Sequence, residues 1–210
     1  MSSEKKPYGF TKSALCSLLP RPQIMTGVFK DILSTHFSVA ARVEEPSLKH
    51  LIWTDSEATK IVIEPITKWK PETTRLIPGI IIKRNAYSNQ RAGIADRMDR
   101  LTPVGNEKFS TYWQGSHTFF CVGGSGTQAE LLSTEVQRYL TEFASVIINH
   151  VKLDRLSVVS VGEIAKLEES DENFVVPVVC AYIYQENWEI MPQVPRLNRL
   201  TVKPDTILDP

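Results

Sequence analysis

The sequence predicts an α+β fold in which a twisted, mostly antiparallel sheet packs against an N-terminal helix and one long central helix. Three observations predict it: an amphipathic run near the N-terminus, short β-branched runs after it, and a strand–glycine turn–helix–strand unit from His117 to Val161. With 210 residues, of which 42% are hydrophobic and 23% are charged, the chain can bury a sizeable core.

The first predicted element is an amphipathic helix from about Gln23 to Ala41, bounded by Pro46. Its apolar stripe, at close to helical spacing, comprises Ile24, Val28, Ile32, Phe37 and Ala41, widened by Leu33 and Ala40. Residues 1–23 are punctuated by prolines and predict an arm that is either disordered or docked on something else. The apolar cluster of this arm is Ala14–Leu19.

Two strands are predicted after this helix. Lys60–Ile66 alternates in polarity, and Pro65 assigns its end to a sheet edge or to an exit from the sheet. Gly79–Tyr87 is a β-branched run, and the polar residues between the two strands indicate one long hairpin connection. Ser88–Thr111 is polar without clear periodicity and predicts a long surface loop, a feature that is usually functional or disordered.

The central unit begins with a predicted strand, His117–Val122, which Gly123–Gly126 interrupts. A helix is predicted from about Thr127 to Val151, on the order of 37 Å long. Thr127 and Glu130 have the capping-box spacing that marks a helix start. The apolar stripe of this helix comprises Ala129, Leu132, Val136, Leu140, Phe143 and Ile147.

A hairpin is predicted after the long helix. Its strands are Leu156–Val161 and Phe174–Trp188, joined by the polar turn Glu168–Asn173. Pro177 predicts that the second strand starts after it or carries a bulge at it. The proline-rich residues 189–210 predict an extended tail.

Charge and cysteine content narrow the possible function. The 24 basic and 24 acidic residues cancel, so nothing favours broad binding to nucleic acid or to an anionic membrane. No apolar run approaches the roughly 18 residues of a membrane span, and no secretory signal is recognisable. Cys16, Cys121 and Cys180 cannot all pair within one chain, which favours a reducing compartment, with Cys121 and Cys180 as small buried hydrophobes.

The GGSG turn is the sharpest hint of a ligand site, because backbone amides at a helix start can hold a phosphate. A P-loop would place a lysine after Gly126, and a dinucleotide fingerprint would place a third glycine where Gln128 stands. An acetyl-CoA-binding acyltransferase would carry Gln or Arg in place of Cys121. We therefore favour a strand-to-helix turn over a ligand site.

The other reactive residues do not form a recognisable pattern. The four histidines are scattered singly and form no zinc-binding pair motif: His36, His50, His117 and His150. His117 and Cys121 lie four residues apart on a strand, roughly 13 Å, which is too far for direct proton transfer. We predict no catalytic, cofactor-binding or metal-binding residues.

The elements follow one another in a distinctive order. After the first helix come the strands KIVIEPI and PGIIIKRNAY, the strand WQGSHTFFCVGGSG, the helix TQAELLSTEVQRYLTEFASVIINHV, and the hairpin LDRLSVVSVGEI with FVVPVVCAYIYQENW. From about Ile24 to Trp188, this order resembles the tail terminator, or tail-completion, proteins of tailed bacteriophages, and more loosely the neck proteins of the head–tail junction. The resemblance implies a sheet flanked by helices, and six subunits in a ring that closes the tail tube below the head.

The resemblance further implies a structural virion protein, made in the host cytoplasm, without catalytic residues or cofactors. Its implied partners are further copies of itself in a hexameric ring, the tail tube protein, and the head–tail connector or stopper protein, with the tail sheath as a further candidate. No membrane binding and no sequence-specific nucleic acid binding are expected.

The chain accordingly divides into an N-terminal arm (1–23), a tail-terminator-like domain (24–188) and an extended tail (189–210). The arm, the predicted loop and the tail depart from the smaller family members and leave its place in the neck open. The alternatives are another neck or head-completion protein, an enzyme that binds a phosphate or CoA ligand at the GGSG turn, and a small bacterial adaptor.

Overall fold

The computed structural model describes residues 22–56, 58–74, 77–91, 107–167 and 173–190, which form a mixed seven-stranded sheet and four helices. The helices are α1 (Pro22–Phe37), α2 (Pro71–Thr74), α3 (Gly126–Glu142) and α4 (Ala144–Val151). The strands are β1 (Val62–Pro65), β2 (Gly79–Arg84), β3 (Ser88–Arg91), β4 (Glu107–Gly123), β5 (Arg155–Val161), β6 (Ala165–Lys166) and β7 (Phe174–Ile190). The predicted α+β fold is confirmed.

The centre of the sheet is the antiparallel pair of β4 and β7, two strands of 17 residues each. They pair along their whole length, from Glu107 beside Ile190 to Gly123 beside Phe174. The strand order is β1-β2-β4-β7-β5, with β3 added to β4 and β6 added to β7. Every other described strand therefore joins the sheet directly or indirectly through this pair.

The predicted loop Ser88–Thr111 is wrong at both ends, because β3 pairs with residues 111–114 of β4, and the first residues of β4 pair with β7. Side-chain hydrogen bonds join these strands, at 2.8 Å from Thr111 Oγ1 to Asn89 Oδ1 and at 2.6 Å from Gln90 Nε2 to Gln114 Oε1. Strands held by polar cross-strand pairs lack the apolar alternation by which a strand is predicted. Residues 92–106 lie outside the described ranges.

The predicted hairpin between the first two strands is also wrong. β1 and β2 run parallel, with Val62 beside Gly79, so the chain crosses over between them through α2. Trp69 anchors this crossover, since its Nε1 donates to Thr74 Oγ1 at 3.2 Å. Pro65 ends β1 at the edge of the sheet, where a residue without a backbone donor is tolerated, as predicted.

The first helix is shorter than predicted and its buried face is rotated by one position. α1 ends at Phe37, and a 3₁₀ turn follows at Ala40–Arg42. The fully buried stripe is Met25, Phe29, Leu33 and Phe37, whereas the predicted stripe residue Ile24 is 37% exposed. Apolar residues cover a wide arc of this helix, and Phe29 takes the inward position, where its ring packs edge-on against Phe119 at 5.2 Å between centroids.

The predicted long helix is two helices, because Phe143, with φ −90° and ψ 4°, separates α3 from α4. The Thr141 hydroxyl donates to the Gln137 carbonyl at 2.8 Å just before this point, a type of contact that bends helices. The predicted stripe stays buried except for Phe143, which is 41% exposed. α4 is capped by Lys152, which follows its last residue and adopts a left-handed conformation with φ 61°.

Pro177 lies inside β7, and its pairing with β4 continues without a shift, so both the predicted strand start after it and the predicted bulge at it are wrong. Its carbonyl oxygen accepts a hydrogen bond from Gly162 N at 2.7 Å. Because the N and C=O of a strand residue point to the same side, the proline ring faces the gap between β5 and β6, where no ladder donor is needed. A register shift is found on the neighbouring strand β5, between Val158 and Ser160.

The main core lies between the helices and one face of the sheet, while Ile81, Val122 and Val175 form a smaller cluster on the other face. Cys121 and Cys180 are buried as free thiols in the main core, as predicted. The predicted arm and tail lie outside the described residues except at their inner ends, and so does most of the predicted turn Glu168–Asn173.

A substitution at Gly115 tests how tightly the central strands β4 and β7 pack. It lies opposite Tyr182, and a β carbon at position 115 would lie 2.7 Å from Cζ of that buried ring. We expect Gly115→Ala to lower the free energy of unfolding by about 1–3 kcal/mol in urea denaturation, because of overpacking. Gly126→Ala is the control, since its β carbon would make only ordinary contacts, the nearest at 3.5 Å. Equal losses in the two variants would contradict this prediction.

Candidate functional site

The glycine turn that follows β4 borders a cleft of ≈ 440 Å³. Gly124 lines it from the turn and Gln128 from the start of α3. His50 and Lys60 line it from the segment before β1. Asn173, 2% exposed, closes one side and donates from Nδ2 to the Thr74 carbonyl at 2.8 Å. This cleft lies at the one place where the sequence indicated a ligand.

Two backbone amides at the turn and the start of α3 are already bound by side chains. Gly124 N donates to Gln128 Oε1 at 3.0 Å, and Gln128 N donates to Ser125 Oγ at 3.2 Å. A phosphate at a helix N-terminus needs such amides to be free. The geometry therefore favours a structural cap over a phosphate cradle.

This cap also corrects the predicted helix start. Ser125, and not Thr127, is the N-cap residue of α3, and Gln128 reaches back to the amide of Gly124. The spacing Ser-x-x-Gln is itself a capping-box signal, so the sequence contained the correct start two residues before the predicted one.

A second polar cluster lies where α1, α3 and the segment after α1 meet. Its centre is Glu135, which is 3% exposed. The Glu135 carboxylate accepts four hydrogen bonds: from His36 Nε2 at 2.8 Å, Glu44 N at 3.1 Å, Arg138 Nη2 at 3.1 Å and Glu45 N at 3.4 Å. Arg138 also contacts Glu44 at 2.7 Å, and the Tyr139 ring lies on His36 with centroids 4.0 Å apart.

The saturation of Glu135 indicates a structural role. A buried carboxylate is tolerated when hydrogen bonds and opposite charge compensate its lost hydration, and here the donors come from three parts of the chain. The cluster thus fastens the end of α1 and the segment after it onto α3. Sequence reasoning missed it, although an acidic residue beside the apolar position Val136 is the signal that could have found it.

A third polar group, His117, lies on the sheet beneath α1 and is fully buried. Its Nε2 is 2.8 Å from Thr26 Oγ1, whose own hydrogen is donated to the Pro22 carbonyl at 3.1 Å. Because the hydroxyl has only one hydrogen, Nε2 must be the protonated ring nitrogen. Nδ1 is then a bare acceptor, and it has no hydrogen-bond partner among the described residues.

The surroundings of His117 hold it neutral. Burial, and secondarily the positive charge of Arg84, lower the pKa of His117 to about 4. The Phe29 and Tyr182 rings enclose it, with centroids 5.1 Å and 5.7 Å away. The Tyr182 hydroxyl is likewise buried without a described partner, and burial raises its pKa.

The remaining reactive residues lie apart from one another. His50 and His150 are exposed. Burial raises the pKa of the Cys121 thiol, which lies 3.9 Å from the Phe119 carbonyl and is not paired with His117. Within the described ranges, no three His, Cys, Asp or Glu side chains are grouped closely enough to hold a metal ion.

Comparison with known proteins does not assign the chain. No family model matches it, and no curated protein matches it. None of the four described helices is long and apolar enough to span a bilayer.

Glu135 provides a test of the clamp between the helices. We expect Glu135→Ala to lower the free energy of unfolding by about 3 kcal/mol, because it leaves a buried imidazole and two backbone amides without their acceptor. Urea denaturation measures the change, and Glu142→Ala, at an exposed position of the same helix, should change stability by less than about 0.5 kcal/mol. A loss at position 135 no larger than at position 142 would show that the clamp is dispensable.

The lowered pKa of His117 predicts that the stability of the fold depends on pH. Its folded-state pKa of about 4 lies below its ordinary value of 6.5, so between these values the unfolded chain binds more protons. Stability should therefore fall as pH drops through this window, by about 2 kcal/mol between pH 7 and pH 5. His117→Gln should lose that part of the dependence, whereas His150→Gln should keep it.

Direct titration separates this effect from simple misfolding of the variant. In the unmodified chain, the imidazole resonances of His117 should not titrate by NMR until pH approaches 4. A midpoint for His117 near 6.5 would refute the prediction.

Proposed function

We propose that this chain is a structural virion protein that forms a ring at the head–tail junction of a tailed bacteriophage, where it ends the tail tube and joins it to the head connector. The observation that supports this proposal most is a pair of sheet edges at opposite ends of the domain, both bordered by exposed apolar side chains. The order of the elements, which resembles tail terminator proteins, supports the particular assembly.

The first edge is β5, which in the described part of the chain pairs with β7 on one side only. Half of the large exposed apolar side chains of the described residues lie on α4, on β5 or next to them: Phe143 (41%), Val146 (58%), Val159 (61%), Val161 (43%) and Ile164 (46%). Isolated domains blunt such edges with charged residues, proline or β-bulges, and β5 carries a register shift but still exposes apolar side chains. Exposed apolar residues along a free strand edge are typical of a protein–protein contact.

The second edge is β1, at the other end of the strand order β1-β2-β4-β7-β5. Ile66, directly after β1, is 38% exposed, and Ile52 is 37% exposed. A ring of identical subunits uses two different surfaces of each subunit, one for each neighbour. Contact surfaces at opposite ends of one sheet meet this requirement.

The alternative of a phosphate- or CoA-binding enzyme rests on the cleft beside the glycine turn. The side chains that occupy amides at the turn weaken this alternative.

The genes next to the gene for this chain distinguish the proposed ring protein from the alternative of a small bacterial adaptor. Genes for a tail tube and a head connector beside this one would support the ring, whereas a bacterial operon without phage genes would overturn it.

A substitution at Val159 tests the proposed contact between subunits at the β5 edge. We expect size-exclusion chromatography with light scattering, and negative-stain images, to show a cyclic oligomer of the full chain. Val159→Asp should convert it to monomer, because a carboxylate would be buried unpaired in an apolar contact. Thr134→Asp is the matched control, since Thr134 has nearly the shape of valine and is exposed on α3.

Two results would contradict the proposal. One is an oligomer that Val159→Asp and Thr134→Asp affect equally, which would place the contact elsewhere. The other is a chain that stays monomeric at every concentration and binds neither isolated tail tubes nor head connectors.

A further inference from the structure

A groove of ≈ 640 Å³ runs along the face of α1 that points away from the sheet. Ile24, Gly27, Val28 and Ser34 line it from α1, and the half-buried Trp53 lines it from the opposite side. A site of this volume is large enough for a short peptide segment.

The apolar residues of the groove need a cover that the sheet does not provide. Ile24 and Val28 lie one turn apart on this second face, while Met25 and Phe29 face the sheet. A helix that is apolar beyond its core-facing stripe is typical of one that packs on two sides. At Gly27 an added β carbon would meet no described atom within 4 Å, so another chain can approach closely there.

Ser34 brings to the groove a polar group that needs a hydrogen-bond partner. Its hydroxyl, in a residue only 5% exposed, has no hydrogen-bond partner among the described residues. Thr26 on the same helix bonds back to the carbonyl four residues earlier, at 3.1 Å, but Ser34 does not. A buried hydroxyl without a partner is unfavourable, and a hydrogen bond to the backbone of a peptide in the groove would satisfy it.

We propose that this groove is the docking site of the chain's own segment Ala14–Leu19. The segment reads ALCSLL, apolar except for one serine and without charge. It ends three residues before Pro22, the first residue of α1, and Pro20 and Pro22 suit a reversal of direction between the two.

The dimensions of the segment and the groove agree. Six extended residues span on the order of 20 Å. The groove follows α1 from Ile24 to Ser38, which at the helical rise is about 21 Å. The rim carries Lys30, Asp31 and Asp55, so a neutral segment leaves no like charge facing it.

The short connection favours docking within one chain over docking from a second copy. Closing a loop of a few residues costs little entropy, whereas a second copy must also lose its translational freedom. The segment would thus cover the outer face of α1 whether or not the chain forms a ring, so the inference does not rest on the proposed function.

The cysteines of the native chain allow the docking to be tested by disulfide crosslinking. Cys16 lies within the segment, while burial raises the pKa of Cys121 and of Cys180 and makes both thiols poor reactants. Cysteine is placed once per turn along the groove, in the single variants Gly27→Cys, Asp31→Cys and Thr35→Cys. The control variant is Thr134→Cys, at an exposed position on α3.

Each full-length variant is oxidised mildly, and disulfides are identified on non-reducing gels and by mass spectrometry. We expect at least one groove variant to form an intramolecular disulfide with Cys16 about tenfold faster than the control, because docking raises the effective concentration of the two thiols. Thermal melting of the reduced variants checks that each is folded.

Two outcomes would overturn the inference. Disulfide-linked dimers without the intramolecular product would assign the groove to a second copy. Groove and control variants that react at equal rates would show that the segment does not dock there.

A non-covalent measurement supplements the crosslinking. Leu18→Asp should speed amide hydrogen exchange in the outer turns of α1, because a carboxylate disfavours docking in an apolar groove. Ser3→Asp, outside the apolar segment, should leave exchange unchanged. Equal exchange in the two variants would contradict the inference.

Discussion

The antiparallel pair of β4 and β7 is the constraint on which the rest of the structure depends. Because side chains alternate between the faces of a strand, its 17-residue register decides which residues meet the helices. It places His117 and Phe119 beneath α1 and sets Gly115 under the ring of Tyr182. A slip of β4 by one residue would turn His117 and Phe119 to the opposite face of the sheet.

The helices are held on this sheet by two different kinds of contact. Apolar burial, led by Phe29 and Leu132, supplies most of the attraction and has little direction. Glu135 supplies direction, because its oxygens bind donors from α1, from the segment after it and from α3 itself. A charged residue in the core thus fixes how the first helix ends, which apolar contacts alone would leave loosely defined.

Sequence reasoning found those features that local signals encode. The β-branched run at Gly79, the glycine turn and the apolar stripe of α3 predicted a strand, a turn and a helix at the right places, although not all of their ends. It failed where partners distant in sequence decide the structure: β3 depends on a polar pairing with β4, and the parallel direction of β1 and β2 is not written in either strand. The same is true of Glu135 and His36, which are 99 residues apart and gain their roles only when α1 meets α3.

The burial of the two thiols has a consequence for their chemistry in oxidising surroundings. Burial raises the pKa of Cys180 to about 12 and also raises that of Cys121, so very little of either thiol is in the reactive thiolate form at neutral pH. Cys121 and Cys180 also lie too many positions apart in the β4–β7 register to bond with each other. The fold therefore shields both sulfur atoms from air oxidation and from disulfide formation with each other.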